Sequence, residues 1–328
     1  MKVFHGIIEI AGQMGILCGA LKRKGVIASA YNTFHSYLGY KEHLINTNVY
    51  ELRRTAKHIL NFYDLFHYHY ASSIDEGYKD LHKIMQMRKK VVMHHWGNDV
   101  RFHDMARINN PYVYTGDSPP NEEIHRRLKG ISQYAKDAIV QDYEVLPYVE
   151  KYYERVHILP LAIDLSKFAP SYPDTTKKKP LILHAPTNPD FKGTVYVEKA
   201  IEELKKTHSF DYRRIEKMSN AEVVQLYKEA DIIIDQIRCG SYGLLSVESM
   251  ALGKPVVGYI RPDLVEKFPA SLPIVNGNPD DVKEKIKMLI EDPNERNRRG
   301  VAGRSYVEGI HDRDVVLKQL LNIYSQLK

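Results

Sequence analysis

The chain has 328 residues, of which 47 are Lys or Arg and 41 are Asp or Glu, so the formal net charge is +6. This length predicts about two domains, and a hydrophobic content of 43% excludes wholesale disorder. Two cysteines, Cys18 and Cys239, exclude a disulfide framework and a four-cysteine zinc site. The basic residues form only short runs, which argues against a nucleic-acid-binding protein. The first residues lack a signal-peptide pattern, and no apolar stretch is long enough to predict a membrane span.

Short apolar strands alternate with amphipathic helical patterns along the first half of the sequence. Strands are predicted at 3–5, 26–31, 65–70, 91–95, 138–141 and 156–159. Helices are predicted at 12–24, 49–62, 121–135 and 143–153. This alternation is typical of βαβ units and therefore predicts a parallel sheet covered by helices.

The same alternation begins again after a polar, proline-containing stretch. Residues 181–184 predict a strand, and the apolar run 231–235 is typical of a strand buried on both faces. Ser219 and Glu222 have the spacing of a capping box, which predicts the start of a helix. Further elements are a helix from Leu244, a strand at 255–260 and helical patterns over 292–328.

These patterns predict an α/β protein with two Rossmann-like, doubly wound domains that face each other across a cleft. The N-terminal domain is expected over 1–165 and the C-terminal domain over 181–310, with a linker over 166–180. The final segment, 311–328, is expected to be a helix that packs back on the N-terminal domain. In such sheets ligands bind outside the carboxyl ends of the strands, so site residues should follow strands.

The loop after the first strand carries Gly12 and Gly15. Glycines at this turn let backbone N–H groups approach a phosphate at a helix N-terminus. The three-glycine dinucleotide pattern and the Walker lysine motif are both absent from the sequence. The two glycines therefore fit either a phosphate contact or a purely structural turn.

Histidines follow or occupy two strands of the first half. His95 and Asp99 come after the strand 91–95 and place an imidazole and a carboxylate at the rim of the sheet. His67 and His69 alternate onto one face of another strand. Zinc is an alternative there, but no third ligand stands at a useful spacing, so no metal site is predicted.

Two stretches of the second half place polar residues directly after strands. Asn188 and Lys192 precede the helix predicted from Thr194, where an ammonium and a helix N-terminus would suit a diphosphate. Asp235 ends a buried strand and opens a glycine-containing loop. Glu248 lies about one turn into the apolar helix that follows, where a carboxylate needs a partner such as a pair of ribose hydroxyls.

Together these residues resemble the retaining glycosyltransferases of the GT-B fold, specifically glycosyltransferase family 4, also called group 1. The likeness extends over essentially the whole chain and is most specific at 231–257, which resembles the donor-binding signature of the family. Residues 159–168 resemble its interdomain segment and 184–194 its phosphate loop. Residues 95–99 resemble its acceptor-domain histidine region.

The resemblance implies a nucleoside diphosphate sugar donor held mainly by the second domain. It implies catalytic roles for His95, Asp99 and Lys192, of which Lys192 would neutralise charge on the departing nucleotide. The implied donor-binding residues are Gly12, Gly15, Asn188, Asp235, Gln236, Arg238, Ser241, Tyr242, Gly243, Leu244, Leu245 and Glu248. No metal and no other cofactor is implied, because the lysine and helix dipoles replace the cation.

Two positions depart from the family pattern. Gly240 stands where the family usually carries a glutamate, eight residues before Glu248. Pro189 stands near the place of an arginine that often precedes the lysine. Asp235 and Gln236 are expected to supply compensating polar contacts, and Arg238 the missing positive charge.

The predicted reaction is transfer of a hexosyl group to a hydroxyl acceptor with retained configuration, in bacterial cell-surface polysaccharide or glycoconjugate synthesis. The acceptor is expected to be a glycan or a lipid-linked glycan. The predicted location is cytoplasmic, with peripheral contact at the inner face of the plasma membrane through basic runs such as 22–24. Two alternatives are a catalytically silent nucleotide-sugar-binding protein and a nucleotide-sugar 2-epimerase of the GT-B fold. The residues do not define the nucleotide base, the donor sugar or the acceptor.

Overall fold

The computed structural model describes residues 1–327, which divide into two compact α/β units. The first unit contains 1–105, 116–162 and the last helix, and the second contains 106–115 and 163–312. The segment predicted as a linker, 166–180, lies within the second unit. Its backbone is held there by hydrogen bonds such as those from Ser171 N–H to the Leu252 carbonyl and from the Asn297 amide to the Pro173 carbonyl.

A seven-stranded parallel sheet forms the centre of the first unit. Its strands are β1 (Lys2–Ile7), β2 (Ile27–Asn32), β3 (Leu44–Asn46), β4 (Leu65–His69), β5 (Lys90–His95), β6 (Asp137–Val140) and β7 (Arg155–Ile158). They lie in the order β3-β2-β1-β4-β5-β6-β7. The strand order changes direction between β1 and β4, and ligands of open α/β sheets bind at such a switch point.

Six helices connect these strands along the first part of the chain. They are α1 (Gln13–Arg23), α2 (Val49–Phe62), α3 (Lys79–Gln86), α4 (His103–Ile108), α5 (Asn121–Ser132) and α6 (Leu146–Val149). The prediction of a helix over 143–153 is wrong, because α6 has only four residues. The Asp142 carboxylate accepts hydrogen bonds from Glu144 and Val145 N–H and so forms a turn ahead of α6.

The second unit has a five-stranded parallel sheet in the order β12-β11-β10-β8-β9. Its strands are β8 (Leu181–His184), β9 (Asp211–Arg214), β10 (Ile232–Ile234), β11 (Val256–Gly258) and β12 (Val275–Asn276). Its helices are α7 (Pro189–Lys192), α8 (Thr194–Leu204), α9 (Asn220–Glu229), α10 (Leu244–Ala251), α11 (Pro262–Val265), α12 (Val282–Glu291) and α13 (Pro293–Ile310). As the apolar run predicts, β10 is central and buried. Ser219 and Glu222 form the predicted capping box at the start of α9.

The last helix, α14 (Arg313–Gln326), belongs to the first unit. Its apolar residues Val316 and Leu320 share one buried cluster with Leu17 of α1 and Leu65 of β4. The first unit therefore completes its core with the end of the chain. None of the helices in the described part of the chain has the length and apolarity needed to cross a membrane.

Candidate functional site

Lys192 and Asp235 meet at the carboxyl ends of β8 and β10. The Lys192 ammonium lies 2.6 Å from Asp235 Oδ1 and 2.9 Å from Gln236 Oε1, and all three residues are buried. Gly193 follows the lysine with a left-handed backbone (φ 80°), and a Cβ there would lie 2.7 Å from the Ile237 side chain. This glycine lets the chain turn from α7 into α8 while the lysine stays against the strand ends.

Asp235 links the lysine to the start of α10. Its other oxygen, Oδ2, accepts hydrogen bonds from Ser246 N–H at 3.2 Å and Ser246 Oγ at 2.5 Å, and from Gly243 N–H at 3.4 Å. Burial raises the pKa of Asp235, but the Lys192 charge and these hydrogen bonds outweigh burial and hold it below its usual range. The carboxylate is therefore ionised and acts as the cap of the α10 N-terminus.

Gln236 and the following loop fix the shape of this helix start. The Gln236 amide donates to the Ser241 carbonyl at 2.5 Å. A Cβ at Gly243 would lie 3.1 Å from Gln236 Oε1, so glycine allows the close approach of loop and side chain. Tyr242 contributes to packing instead, because its hydroxyl lies 3.0 Å from the Tyr306 hydroxyl and 3.1 Å from His311 Nε2.

Glu248 is buried on the first turns of α10 and has one amide partner. Asn220 Nδ2 donates to Glu248 Oε1 at 2.9 Å. Burial raises the pKa of Glu248 to about 7, with the Asn220 hydrogen bond acting in the opposite direction and the Asp235 charge raising it further. The sequence reasoning missed Asn220, which stands inside the capping box of α9 and has no other signal in the sequence.

Arg238 makes its hydrogen bonds to backbone carbonyls. Its guanidinium donates to the Tyr112 carbonyl at 2.6 Å and to the Asp190 carbonyl at 2.9 Å, and no contact with Lys192 or Asp235 is among them. Asn188 likewise uses its side chain locally, where it caps α7 by accepting from Asp190 and Phe191 N–H. Both residues therefore organise the backbone around Lys192, and a direct donor contact for either stays a prediction.

Gly240 is explained by its own backbone. It has a left-handed conformation (φ 88°), and the Arg261 side chain lies over it, 3.0 Å from where a Cβ would stand. A glutamate at this position would need both a strained backbone and a displaced arginine. The local packing therefore favours glycine at this position.

In the first unit, the Glu9 carboxylate lies at the start of α1. It accepts hydrogen bonds from Gly15 N–H at 2.9 Å and Met14 N–H at 3.3 Å. Burial raises the pKa of Glu9 to about 7, while backbone hydrogen bonds lower it. A Cβ at Gly12 would meet the Tyr40 ring at 2.8 Å, and one at Gly15 the Glu42 carbonyl at 2.4 Å. Glycine at both positions leaves room for the close approach of Tyr40 and Glu42. A phosphate bound here, as predicted, would compete with the Glu9 carboxylate for the N–H groups at the start of α1.

His95 and Asp99 form a buried pair at the end of β5. His95 Nδ1 lies 2.7 Å from Asp99 Oδ2, and His95 Nε2 lies 2.8 Å from the Tyr153 hydroxyl. Asp99 Oδ1 accepts from Trp96 and Gly97 N–H. Both imidazole nitrogens therefore have protein partners, and the catalytic roles of this pair stay predictions.

The structure places a third histidine, His5, beside His67 and His69. His5, His67 and His69 offer nitrogens within 4.8 Å of one another, and all three rings are buried. His5 precedes His67 by 62 residues, so the spacing of histidines in the sequence does not predict that these three rings lie together.

Comparisons with known proteins identify the second unit. Residues 194–306, which contain Glu248 and α10, match the family model described as "Glycosyl transferases group 1". These residues have the sequence pattern of a group 1 glycosyltransferase domain. The chain is 26% identical over 310 residues to a D-inositol 3-phosphate glycosyltransferase of Thermobifida fusca (strain YX), covering 79% of this chain and 69% of that protein.

Solved structures show that the whole chain has the GT-B fold. The Anabaena protein HepE in complex with UDP-glucose has a TM-score of 0.65 at 12% identity, with 100% of each chain covered. WaaG, a glycosyltransferase involved in lipopolysaccharide biosynthesis, has a TM-score of 0.61 at 12% identity, covering 99% of this chain and all of that chain. The prediction of two Rossmann-like domains of the GT-B fold is thereby confirmed.

Proposed function

We propose that this group 1 glycosyltransferase transfers a hexosyl group from a nucleoside diphosphate sugar to a hydroxyl acceptor with retention and without a metal ion in the transfer step. The observation that carries the proposal is the convergence of Lys192, Asp235 and the start of α10 at the strand ends. An ammonium held by two buried side chains beside a helix N-terminus is a site for a diphosphate.

Charge stabilisation is the proposed source of catalysis. Negative charge develops on the diphosphate as the nucleotide departs, and a fixed ammonium lowers the energy of that state. In the described structure the ammonium is paired with Asp235. Asp235 is then a positioning residue. It holds the Lys192 ammonium in a fixed direction, and the donor phosphates interact with the same ammonium charge.

Glu248 is the proposed ribose ligand. A buried carboxylate with one amide partner at 2.9 Å keeps further acceptor positions for hydroxyl donors. Two ribose hydroxyls match this capacity and would offset the cost of burying the charge. Asn220, which already holds one carboxylate oxygen, would orient the group toward the sugar.

The first experiment measures nucleotide release from a panel of UDP- and GDP-hexoses, with glycan and lipid-linked acceptors. Lys192→Ala should lower turnover by at least about 100-fold, the scale of losing one oriented charge at a reacting group. Glu248→Ala should lower kcat/KM by about 10-fold or more through weaker donor binding, the scale of losing hydrogen bonds to a charged group. Lys199→Ala and Glu202→Ala, at exposed positions on α8, are matched controls that should retain turnover. The anomeric configuration of the product tests retention, and assay in a chelator tests metal independence.

A silent nucleotide-sugar-binding protein is the second candidate. It is favoured by the pairing of the Lys192 charge with Asp235 and by the placement of Arg261 over Gly240. It predicts saturable nucleotide binding that Glu248→Ala weakens, with no release of sugar from any donor. Binding without release across the panel would therefore replace the transferase proposal with this one.

The acceptor and the place of action are proposed from surface charge and from the relatives. Residues 22–24 are three exposed basic residues at the end of α1, and Ile27 beside them is also exposed. Such a patch would contact an anionic membrane surface from the cytoplasmic side. WaaG takes part in lipopolysaccharide biosynthesis, which agrees with a role in cell-surface glycan assembly. Sedimentation with anionic but not zwitterionic vesicles, lost when 22–24 are replaced by alanine, is the expected result.

A further inference from the structure

The register of the first sheet collects four histidines on one face. His5 on β1 stands directly beside His67 on β4, and His69 on β4 stands directly beside His94 on β5. His67 and His69 are two residues apart and so point to the same side of the strand. Each of the four is at most 1% exposed. The glycosyl transfer proposed above uses none of them.

The nitrogens of these rings are already close to the spacing of metal ligands. His5 Nδ1 lies 3.1 Å from His69 Nε2, and His67 Nε2 lies 3.1 Å from His94 Nδ1. Two imidazole nitrogens on one tetrahedral Zn²⁺ are separated by about 3.3 Å, given Zn–N bonds of about 2.0–2.1 Å. The parallel stacking of His67 on His69 means that at least one ring must rotate to ligate.

The outer nitrogens have the partner that metal-bound histidines need. The Tyr324 hydroxyl lies 2.7 Å from His67 Nδ1 and 3.3 Å from His5 Nε2. A ligating imidazole donates its second N–H to an acceptor, and one phenol oxygen has lone pairs for both.

Hydrogen bonds among these groups leave the cluster incomplete. Within the described residues, His69 Nδ1 and His94 Nε2 are buried and have no hydrogen-bond partner. Each neutral ring carries one N–H. The hydrogen bonds form one continuous series through His94, His67, Tyr324, His5 and His69. Whichever way the hydrogens in this series point, one end keeps an unpaired N–H and the other end keeps an unpaired lone pair. Hydrogen bonds within the protein therefore do not satisfy the four rings, and a buried group left in this way calls for a further partner or ion.

We propose that His5, His67 and His69 bind a transition-metal ion of the zinc class, with His94 or a hydroxide from water as the fourth ligand. Imidazole is a preferred ligand of Zn²⁺ and its neighbours in the first transition row. The site lies against Tyr324 of α14 and joins β1 to β4, and also to β5 when His94 is the fourth ligand. Its role is to stabilise the first unit, and it is independent of the transfer reaction.

The test uses the full chain, freed of any purification tag and stripped with a chelator, and titrates it with Co²⁺. The expected result is about one ion per chain, with the intense visible bands of tetrahedral Co²⁺, displacement by Zn²⁺ and a raised Tm. His67→Gln and His5→Asn should each weaken binding by at least about tenfold. His82→Ala, an exposed histidine on α3, is the matched control and should bind as the wild type does.

Two results would overturn the metal site. One is a Co²⁺ spectrum of the free hydrated ion with the wild-type chain, together with no change in Tm. The other is equal binding by the wild type and the folded His67→Gln chain. Either result would show a metal-free chain of hydrogen-bonded histidines, and the wild-type titration decides this even where a variant fails to fold.

Discussion

At the scale of single residues, Glu248 couples folding to pH. Burial raises its pKa from 4.5 to about 7, so between these values the folded chain binds more protons than the unfolded chain. Stability from this group is therefore fully present below pH 4.5 and declines as pH rises through 7, by at most about 3 kcal/mol. Glu248→Gln should lack this decline. Relative to the wild type, the variant should gain stability between pH 5 and pH 8, measured as urea midpoints by far-UV circular dichroism.

The control for this residue is Glu202→Gln, an exposed glutamate on α8. Its difference from the wild type should be the same at both pH values, because no burial acts on it. Asn220→Ala should raise the pKa of Glu248 further, because the amide hydrogen bond favours the ionised form. A Glu248→Gln chain that follows the wild type at every pH would contradict the buried, protonating carboxyl described above.

At the scale of elements, one ion pair joins the end of α7 to the end of β10, and its carboxylate also holds the start of α10. Removing one partner of a buried pair leaves an uncompensated charge and costs about 3–5 kcal/mol. Asp235→Ala and Lys192→Met should each destabilise the chain strongly. The double variant should be destabilised by less than the sum, with a coupling of about 1–3 kcal/mol. Urea unfolding of the four chains measures this coupling.

The matched pair for comparison is Lys179 and Asp211, whose charged atoms lie 2.7 Å apart with both side chains more than half exposed. Solvent screens this pair, so its coupling should stay below about 1 kcal/mol. Equal couplings for the two pairs would mean that Asp235 and Lys192 do not hold each other in solution. That result would also contradict the role of Asp235 as a positioning residue for Lys192.

Local periodicity explains which elements could be predicted. The apolar run around β10 and the capping box before α9 are encoded by neighbouring residues, and both are present as predicted. The short strand β3 depends on pairing at the edge of the sheet, and periodicity did not predict it. The short helix α6 follows a turn held by the Asp142 side chain, and periodicity predicted it too long. The Glu248–Asn220 contact joins residues 28 positions apart, and nothing in the pattern of either helix indicates it.

At the scale of the whole molecule, the sequence predicted two Rossmann-like units but not how the chain is shared between them. Segment 106–115 clusters with the second unit although it lies between stretches of the first. The histidine cluster depends on the register between β1, β4 and β5, which follows from tertiary packing and not from spacing. The pairing register between distant strands could not be predicted from the sequence. The proposed metal site depends on that register, so only the structure reveals it.

The dependence of the first unit on the last helix gives a final prediction. Leu320 of α14 is fully buried in the core of that unit. Leu320→Ala should destabilise the unit by about 2–5 kcal/mol. Trp96 is the single tryptophan and stacks on His94 with ring centroids 3.9 Å apart, so its fluorescence reports this unit. The urea midpoint measured by fluorescence should be lower in Leu320→Ala than in the wild type. It should be unchanged in Lys318→Ala, which alters an exposed residue of the same helix. An unchanged midpoint in both variants would show that α14 does not stabilise that core.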